Sequence, residues 1–408
     1  MKGFTSRVLH AKFPKDDAYN ALHMPIYEGV SYEFDSALEM NQVFCGEKFA
    51  HAYSRTSNPT VEYFEMKLKA ATNAHAVLAL ASGMAAITSA ILSIAENGDN
   101  IISSNHLFGH TYALFKNTFP QWGIEVRFAD VSNSDELKKL IDTRTKLIFF
   151  ESITNPQLEV VDIKTVADLA HAHNCLVMVD STTTPPNVFE AASFGVDVEV
   201  MSTTKFISGG ATVFGGAVID HGLFDWHKNP TLNKWVAKFG KDAFISRMRK
   251  EIFRHLGGAM TPHTAHFMCL GIDLLDLRVE KCVTNTLKLA EFLEHHPKVA
   301  SVNFPGLKSH LQYEISQLQF MGLPGAILAL NLNSKEECFQ FMDRLQMIRR
   351  ATNLNDNKTL IIHPFSTIYS EFTDSEKTQM GISDTLLRLS VGIEDIVDLC
   401  DDINQALQ

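Results

Sequence analysis

Several short apolar runs in the middle of the chain each end in groups that can do chemistry. Val77–Leu80 runs into Ala81-Ser82-Gly83-Met84, a glycine turn entering a helical stretch. Successive backbone N–H groups at such a turn can cradle a phosphate. Lys146–Phe150 is followed by Glu151-Ser152-Ile153-Thr154-Asn155-Pro156, and Cys175–Val179 by Asp180-Ser181-Thr182-Thr183-Thr184. Val198–Met201 runs into Ser202-Thr203-Thr204-Lys205. In an open parallel sheet, ligands sit outside the carboxyl ends of the strands. If these runs are such strands, an acid, a lysine, an amide, hydroxyls and a glycine turn converge on one edge. That set suits pyridoxal phosphate: a lysine holds the aldehyde, and a carboxylate keeps the pyridine nitrogen protonated so that the ring accepts electrons. Hydroxyls and backbone amides would hold the phosphate. Taken singly, each feature is ordinary, since a lysine after a strand is usually solvated and an aspartate there often caps a helix. Their joint occurrence carries the reading.

The elements that must position these groups follow the same pattern. From about residue 65 to 260, apolar runs (Val77–Leu80, Asn100–Ser103, Ile124–Phe128, Lys146–Phe150, Cys175–Val179, Val198–Met201) alternate with helix-like stretches such as Ser134–Ile141 and Ile163–Ala172. Alternation of this kind predicts βα units and a mostly parallel sheet covered on both faces. Phe214–Ile219 reads as a further strand, returning antiparallel. Residues 1–64 lack periodicity and read as an N-terminal arm that packs on its own body or on a second subunit. Beyond residue 261 a long helix (Asp276–His295), strands (Val299–Phe304, Ala326–Leu332, Leu386–Val391) and helices near Lys335–Leu345 and Ile393–Ala406 predict a smaller α+β domain spanning 261–408.

Composition narrows the function classes. The 408 residues are 45% apolar and 20% charged, ordinary globular usage, which excludes disordered and collagen-like classes. The net charge of −11 and the shortness of the densest basic run, Arg247-Met248-Arg249-Lys250, argue against nucleic acid as a partner. Six scattered cysteines without a CxxC pair read as reduced thiols of a cytoplasmic protein. Charges follow Met1-Lys2-Gly3-Phe4-Thr5-Ser6-Arg7, so no signal peptide is expected. Val77–Ala95 is uncharged and long enough to cross a bilayer, but Ala81-Ser82-Gly83-Met84 interrupts it, and a buried strand, turn and helix fit better. His263 with His266, and His171 with His173, lack the third ligand and supporting groups a zinc site needs, so no metal is expected.

Nearly the whole chain resembles the Cys/Met-metabolism family of pyridoxal-phosphate enzymes: cystathionine synthases and lyases, methionine γ-lyase and O-acylhomoserine sulfhydrylases. The matching stretches are Tyr53-Ser54-Arg55 with Asn58-Pro59-Thr60, Ala81–Ala86, Glu151 with Asn155-Pro156, Val179-Asp180, Ser202–Lys205, His363-Pro364 and Leu387–Asp395. The resemblance implies an α/β fold of the aspartate-aminotransferase-like type I class, with a large cofactor-binding domain (65–260) and a smaller C-terminal one. It implies that Lys205 binds the cofactor aldehyde and shuttles protons, Asp180 holds the pyridinium, and Asn155 bonds the phenolic oxygen. The phosphate would lie against Ser82, Gly83, Met84, Ser202 and Thr204. Tyr53 and Arg55 would reach it from a neighbouring subunit, Tyr53 with a catalytic part, making a homo-oligomer, expected to be a tetramer with dimer-built sites. Arg388 and Asn353, with Asn155, would hold the substrate carboxylate.

Departures from the family pattern point to a substrate. Most members carry a tyrosine that stacks on the cofactor ring; here Leu107-Phe108-Gly109-His110 supplies Phe108, which stacks but has no hydroxyl. An enzyme without that acid favours a leaving group needing little help, such as acetate, whose conjugate acid is far stronger than a thiol. His110 or Tyr53 could supply the missing acid. Where cystathionine users have an acid, this chain has Lys358, which would repel cystathionine's distal ammonium. Phe365 and Tyr369 replace an alanine and a histidine expected near the entrance. The reading is γ-replacement on an O-acylhomoserine, O-acetylhomoserine first, by sulfide or a thiol. The alternatives are methionine or homocysteine γ-lyase and the cystathionine γ-synthase or lyase reactions.

Overall fold

The structure is a computed structural model that describes residues 3–12 and 19–408. The expectations for Met1, Lys2 and residues 13–18 of the arm lie outside the described residues. Seven strands form the larger sheet: β1 (Ala76–Leu80), β2 (Asn100–Ser104), β3 (Glu125–Ala129), β4 (Thr145–Glu151), β5 (Leu176–Asp180), β6 (Val198–Met201) and β7 (Gly216–Asp220). Their order is β1-β7-β6-β5-β4-β2-β3. β3, β2, β4, β5 and β6 run parallel, and β7 is antiparallel to both β6 and β1.

The alternation of side chains explains why these strands read as continuous apolar runs. Leu147 and Phe149 of β4 join Leu176, Met178, Val198 and Val200 in one core, while Ile148, Phe150, Val177 and Val179 enter another on the opposite face. Both faces are covered, so these positions of β4, β5 and β6 are apolar in either parity. Burying each such side chain contributes roughly 1.5–3 kcal/mol. Glu151, Asp180 and Ser202 emerge at the strand ends, while Glu199, buried within β6, accepts from the Ser181 hydroxyl at 2.7 Å.

A second sheet of five strands, β8 (Ser301–Asn303), β9 (Ile327–Asn331), β10 (Arg349–Arg350), β11 (Leu360–Ile362) and β12 (Leu386–Ser390), has the order β10-β11-β12-β9-β8. It is antiparallel except for β10 with β11. Leu387 and Leu389 of β12 pack with Leu328 and Leu330 of β9 into the core shared with the helices Leu275–Glu294 and Ile396–Ala406. By the two-residue period, Arg388 projects from the other face of β12. The molecule therefore has the expected large, mostly parallel sheet and a smaller antiparallel sheet domain. Among the described residues, no helix is long and apolar enough to cross a membrane; the uncharged stretch from Val77 divides into β1 and the helix Gly83–Leu92.

Several elements differ from the sequence expectation. Ser57-Asn58-Pro59, read as turn punctuation, is a helix start. Asn58 accepts from the Thr60 and Val61 amides and Pro59 occupies the first turn of a helix that runs through residue 64 to Thr72. Within the arm, Phe4–Leu9 and Ala37–Cys45 are also helical. Pro262–Asp273 is a helix that packs against Pro59–Thr72. β10 and β11 were not anticipated, being two and three residues long in a polar stretch.

β7 approaches the turn before Gly83–Leu92 so closely that a Cβ on Gly216 would lie 2.1 Å from the Ser82 carbonyl oxygen. Backbone on both sides leaves nothing that can yield. Gly216→Ala is expected to destabilise the protein by about 1–3 kcal/mol, read as a lower urea midpoint with an unchanged slope.

Candidate active site

At the carboxyl ends of β1, β4, β5 and β6 lies a cleft of about 290 Å³ lined by Ser82, Gly83, Met84, Phe108, Asn155, Asp180, Ser202, Thr204, Lys205 and Arg388. Ten of the expected site residues thus meet in one place. Asn353 joins them through its Oδ1, which accepts from the Lys205 amine at 2.7 Å.

Ser82 caps the helix Gly83–Leu92 by accepting from the Ala85 amide at 3.1 Å. A Cβ on Gly83 would meet the Ser202 Cβ at 2.7 Å. A side chain there would displace the Ser202 turn from the helix N-terminus. The first N–H groups of a helix have no partner within it, so the amides of Gly83 and Met84, both lining the cleft, suit an anion. The hydroxyl of Thr204 is already engaged: it donates to the Gly215 carbonyl at 3.1 Å and accepts from the Gly215 amide at 3.0 Å. Thr204 would have to turn to donate to a phosphate, whereas the turn it stabilises holds Lys205.

Lys205 stands at the end of β6 on a loop held from below. Arg278 donates to the carbonyls of Phe206 and Gly271 at 2.7 and 2.8 Å. Gly209 takes a positive φ of 86° where its chain meets Gly271. Burial, with the nearby charge of Arg388, lowers the Lys205 amine from 10.5 to about 8. A neutral amine is therefore accessible near neutral pH, the state that attacks an aldehyde or takes a proton.

Asp180 and Glu151 are register partners on β5 and β4. Burial pushes the Asp180 carboxyl up, against the Thr182 contacts that lower it. Glu151 is pushed up to about 8 by burial and by the charge of Asp180. Glu151 accepts from the amides of Phe108 at 2.6 Å and Asn155 at 3.0 Å. Arg388 is buried, and its terminal nitrogens donate at 3.0 Å to Asn155 Oδ1 and the Asn353 carbonyl, both neutral acceptors. Its Nε is buried without a partner, and desolvation lowers the guanidinium to about 10.

This donor set fits pyridoxal phosphate. Among the described residues no cation pairs with Asp180, the first amides of the helix Gly83–Leu92 can receive an anion, and Lys205 is a partly buried amine with a neutral partner. Arg388 would still offer its charge to a substrate carboxylate.

Tyr53 and Arg55 do not line this cleft. Tyr53 is 43% exposed. The Arg55 guanidinium lies 5.4 Å over the Tyr53 ring and donates to the Arg254 carbonyl at 2.8 Å. Lys358 is exposed and does not line the cleft either. The Asp356 carboxylate accepts from the Lys358 backbone amide at 3.2 Å. Tyr369 is not at the entrance; it is fully buried, with its hydroxyl against the carbonyls of Leu107 and Asn155. His110 lines the cleft and meets the Phe108 ring edge-on at 5.0 Å. The sequence reading assigned no role to Glu151, although a second acid ending the neighbouring strand was the available signal.

The fold and the cleft define a pyridoxal-phosphate-dependent enzyme. The chain belongs to the family of Cys/Met metabolism PLP-dependent enzymes, whose pattern it matches over residues 5–408. It is similar to the homocysteine/cysteine synthase of Saccharomyces cerevisiae, 35% identical over 99% of this chain and 97% of that one. An L-methionine gamma-lyase of Pseudomonas putida is 34% identical over 100% and 98%. Among solved structures, an O-acetylhomoserine sulfhydrylase in the methionine biosynthetic pathway of Wolinella succinogenes is 46% identical, with TM-score 0.78 over 86% of this chain and 98% of that one. A putative O-acetylhomoserine (thiol)-lyase of Campylobacter jejuni, with a pyridoxyl-lysine monophosphate at position 205, is 31% identical with TM-score 0.93 over 99% of both chains.

The Lys205 shift has a measurable consequence in cofactor-free enzyme. The unfolded chain keeps the lysine proton up to about 10.5 while the folded one releases it near 8. Lys205 therefore disfavours folding below pH 8, and that cost lifts as the pH rises through this window. Acylation of Lys205, followed by mass spectrometry, should be half-maximal near pH 8. A midpoint at the value of exposed lysines would refute the burial argument.

Proposed function

We propose that this enzyme replaces the γ-substituent of O-acetylhomoserine with sulfide, giving homocysteine and acetate. The observation that carries the substrate choice is Phe108. Where a hydroxyl could have protonated a leaving group, the cleft presents a hydrocarbon ring. A carboxylate departs unprotonated at neutral pH, whereas a thiol, with a pKa of about 8.5, needs a proton more. The similarity to homocysteine synthases and O-acetylhomoserine sulfhydrylases supports this reading.

When bound, pyridoxal phosphate supplies an aldehyde that condenses with amines and a ring that takes up the electron pair of a broken Cα–H bond. The protein's own groups do the rest. Arg388 holds the substrate carboxylate through its planar fork, oriented by Asn155 and Asn353. Asp180 keeps the ring nitrogen protonated, and the Gly83 and Met84 amides with Ser82 and Ser202 hold the phosphate. The Lys205 amine would take the proton from the substrate's Cα and move one at Cβ. Acetate leaves the γ-carbon, sulfide adds there, and the proton movements reverse. Ile87, Ile153, Leu354 and Ile368 line the cleft and would exclude water from the substrate's γ-carbon.

Tyr53 and Arg55 serve the cleft of a second copy, in a homo-oligomer expected to be a tetramer. Leu38, Phe44 and Phe49 of the arm are 67%, 66% and 72% exposed, apolar surface that such a partner would cover. The six free thiols fit the cytoplasm.

O-acetylhomoserine with sulfide should yield homocysteine without 2-oxo acid; a comparable 2-oxo-acid yield from methionine alone would assign the enzyme as a γ-lyase. Lys205→Ala should cost about 10²–10⁴-fold in kcat. Arg55→Ala should weaken cofactor retention. Mixing the two variants should restore activity if sites straddle subunits, and no restoration would place Arg55 outside the partner's site.

A further inference from the structure

We propose that Tyr369 is a positioning residue: with Glu151 it grips the Leu107–Phe108 peptide from opposite sides and so sets the angle of the Phe108 ring against the cofactor. The proposal rests on the reading that Phe108 stacks on bound pyridoxal phosphate. The Leu107 carbonyl and the Phe108 amide belong to one peptide group, and in a trans peptide they point in opposite directions. Glu151 accepts from the Phe108 amide at 2.6 Å. The Tyr369 hydroxyl lies 3.1 Å from the Leu107 carbonyl oxygen. Held at both edges, that peptide plane cannot rotate without losing a buried hydrogen bond.

The same two side chains also reach a second segment, the single phenolic hydrogen being shared between two carbonyls. Glu151 accepts from the Asn155 amide at 3.0 Å, and the Tyr369 hydroxyl lies 3.2 Å from the Asn155 carbonyl. Asn155 in turn accepts from Arg388. The clamp therefore joins the ring-stacking residue to the group that orients the carboxylate-binding fork. Tyr369 is fully buried, and its phenol is raised by burial and by Glu151, so it remains a donor throughout the working pH range. Gly109 follows Phe108, and a Cβ there would approach the Ile368 carbonyl at 3.0 Å; the Tyr369 segment therefore also presses on the turn directly. Phe108 has no polar atom with which to fix its own ring, which leaves its backbone and the edge-on contact with His110 to do so.

The experiment compares holoenzyme and Tyr369→Phe. Loss of the phenolic hydrogen bonds, at about 1.4 kcal/mol, should speed amide hydrogen exchange at Phe108 about tenfold. It should also reduce the visible circular dichroism of bound cofactor while its absorbance is kept, and lower kcat several-fold. Glu151→Gln keeps one accepting oxygen and puts an amide nitrogen at the other, so exchange should speed at Phe108 or at Asn155; unchanged exchange at both overturns the clamp if Tyr369→Phe does not fold. A folded Tyr369→Phe enzyme with unchanged Phe108 exchange and unchanged visible dichroism overturns the clamp. If these signals respond but the parent enzyme makes no homocysteine from O-acetylhomoserine and sulfide, the substrate assignment falls and the clamp stands.

Discussion

Desolvation without neutralisation governs this site. Asp180, Glu151, Lys205 and Arg388 share one cleft, and among the described residues none is held in an ion pair there: Arg388 donates to neutral oxygens, Lys205 to an amide, Glu151 accepts from backbone. Their shifts all run toward the neutral form. An unpaired buried ion costs several kcal/mol, so the folded protein carries a charge deficit that a ligand of matching pattern relieves. A ring cation answers Asp180, a phosphate answers the N-terminus of Gly83–Leu92, and a substrate carboxylate answers Arg388. Cofactor and substrate complete the electrostatics of the fold as well as its chemistry.

The sheet makes such placement possible because β4 from Leu147 and β5 from Leu176 are apolar on both faces up to the acids that end them, Glu151 and Asp180. Glu151 opposite Asp180, and Asp180 opposite Val200, follow from a parallel register. Close backbone contacts then fix the loops: Gly83 against Ser202, Gly216 against Ser82, Gly209 against Gly271. Thr182 adds a cross-tie by accepting from the Ser202 amide at 2.8 Å. The smaller sheet contributes what the larger cannot, a charged fork on the cleft-facing side of β12 and, beyond β11, the buried phenol of Tyr369.

Much of this was legible in the sequence because its signals are local. A strand that ends in an acid, a lysine or a glycine turn announces its position, and the parallel-sheet rule places those ends together. What escaped reading depends on contacts between distant segments. Glu151 looked like one more strand-end polar residue, yet its function lies in amides four residues ahead and forty-three residues behind. Tyr369 and Lys358 were judged from sequence position, and burial reversed their importance: the phenol is enclosed and the lysine solvated. The helix starting at Pro59 was concealed by a cap that resembles a turn, and β11 by its three-residue length.

The most direct measurement of the central claim is the ¹⁵N resonance of the ring nitrogen in enzyme loaded with labelled pyridoxal phosphate. With Asp180 in place the nitrogen should remain protonated from mildly acidic to alkaline pH, and in Asp180→Asn it should move to the unprotonated position. An unprotonated nitrogen in the parent enzyme, or a protonated one unaffected by the substitution, would contradict the account.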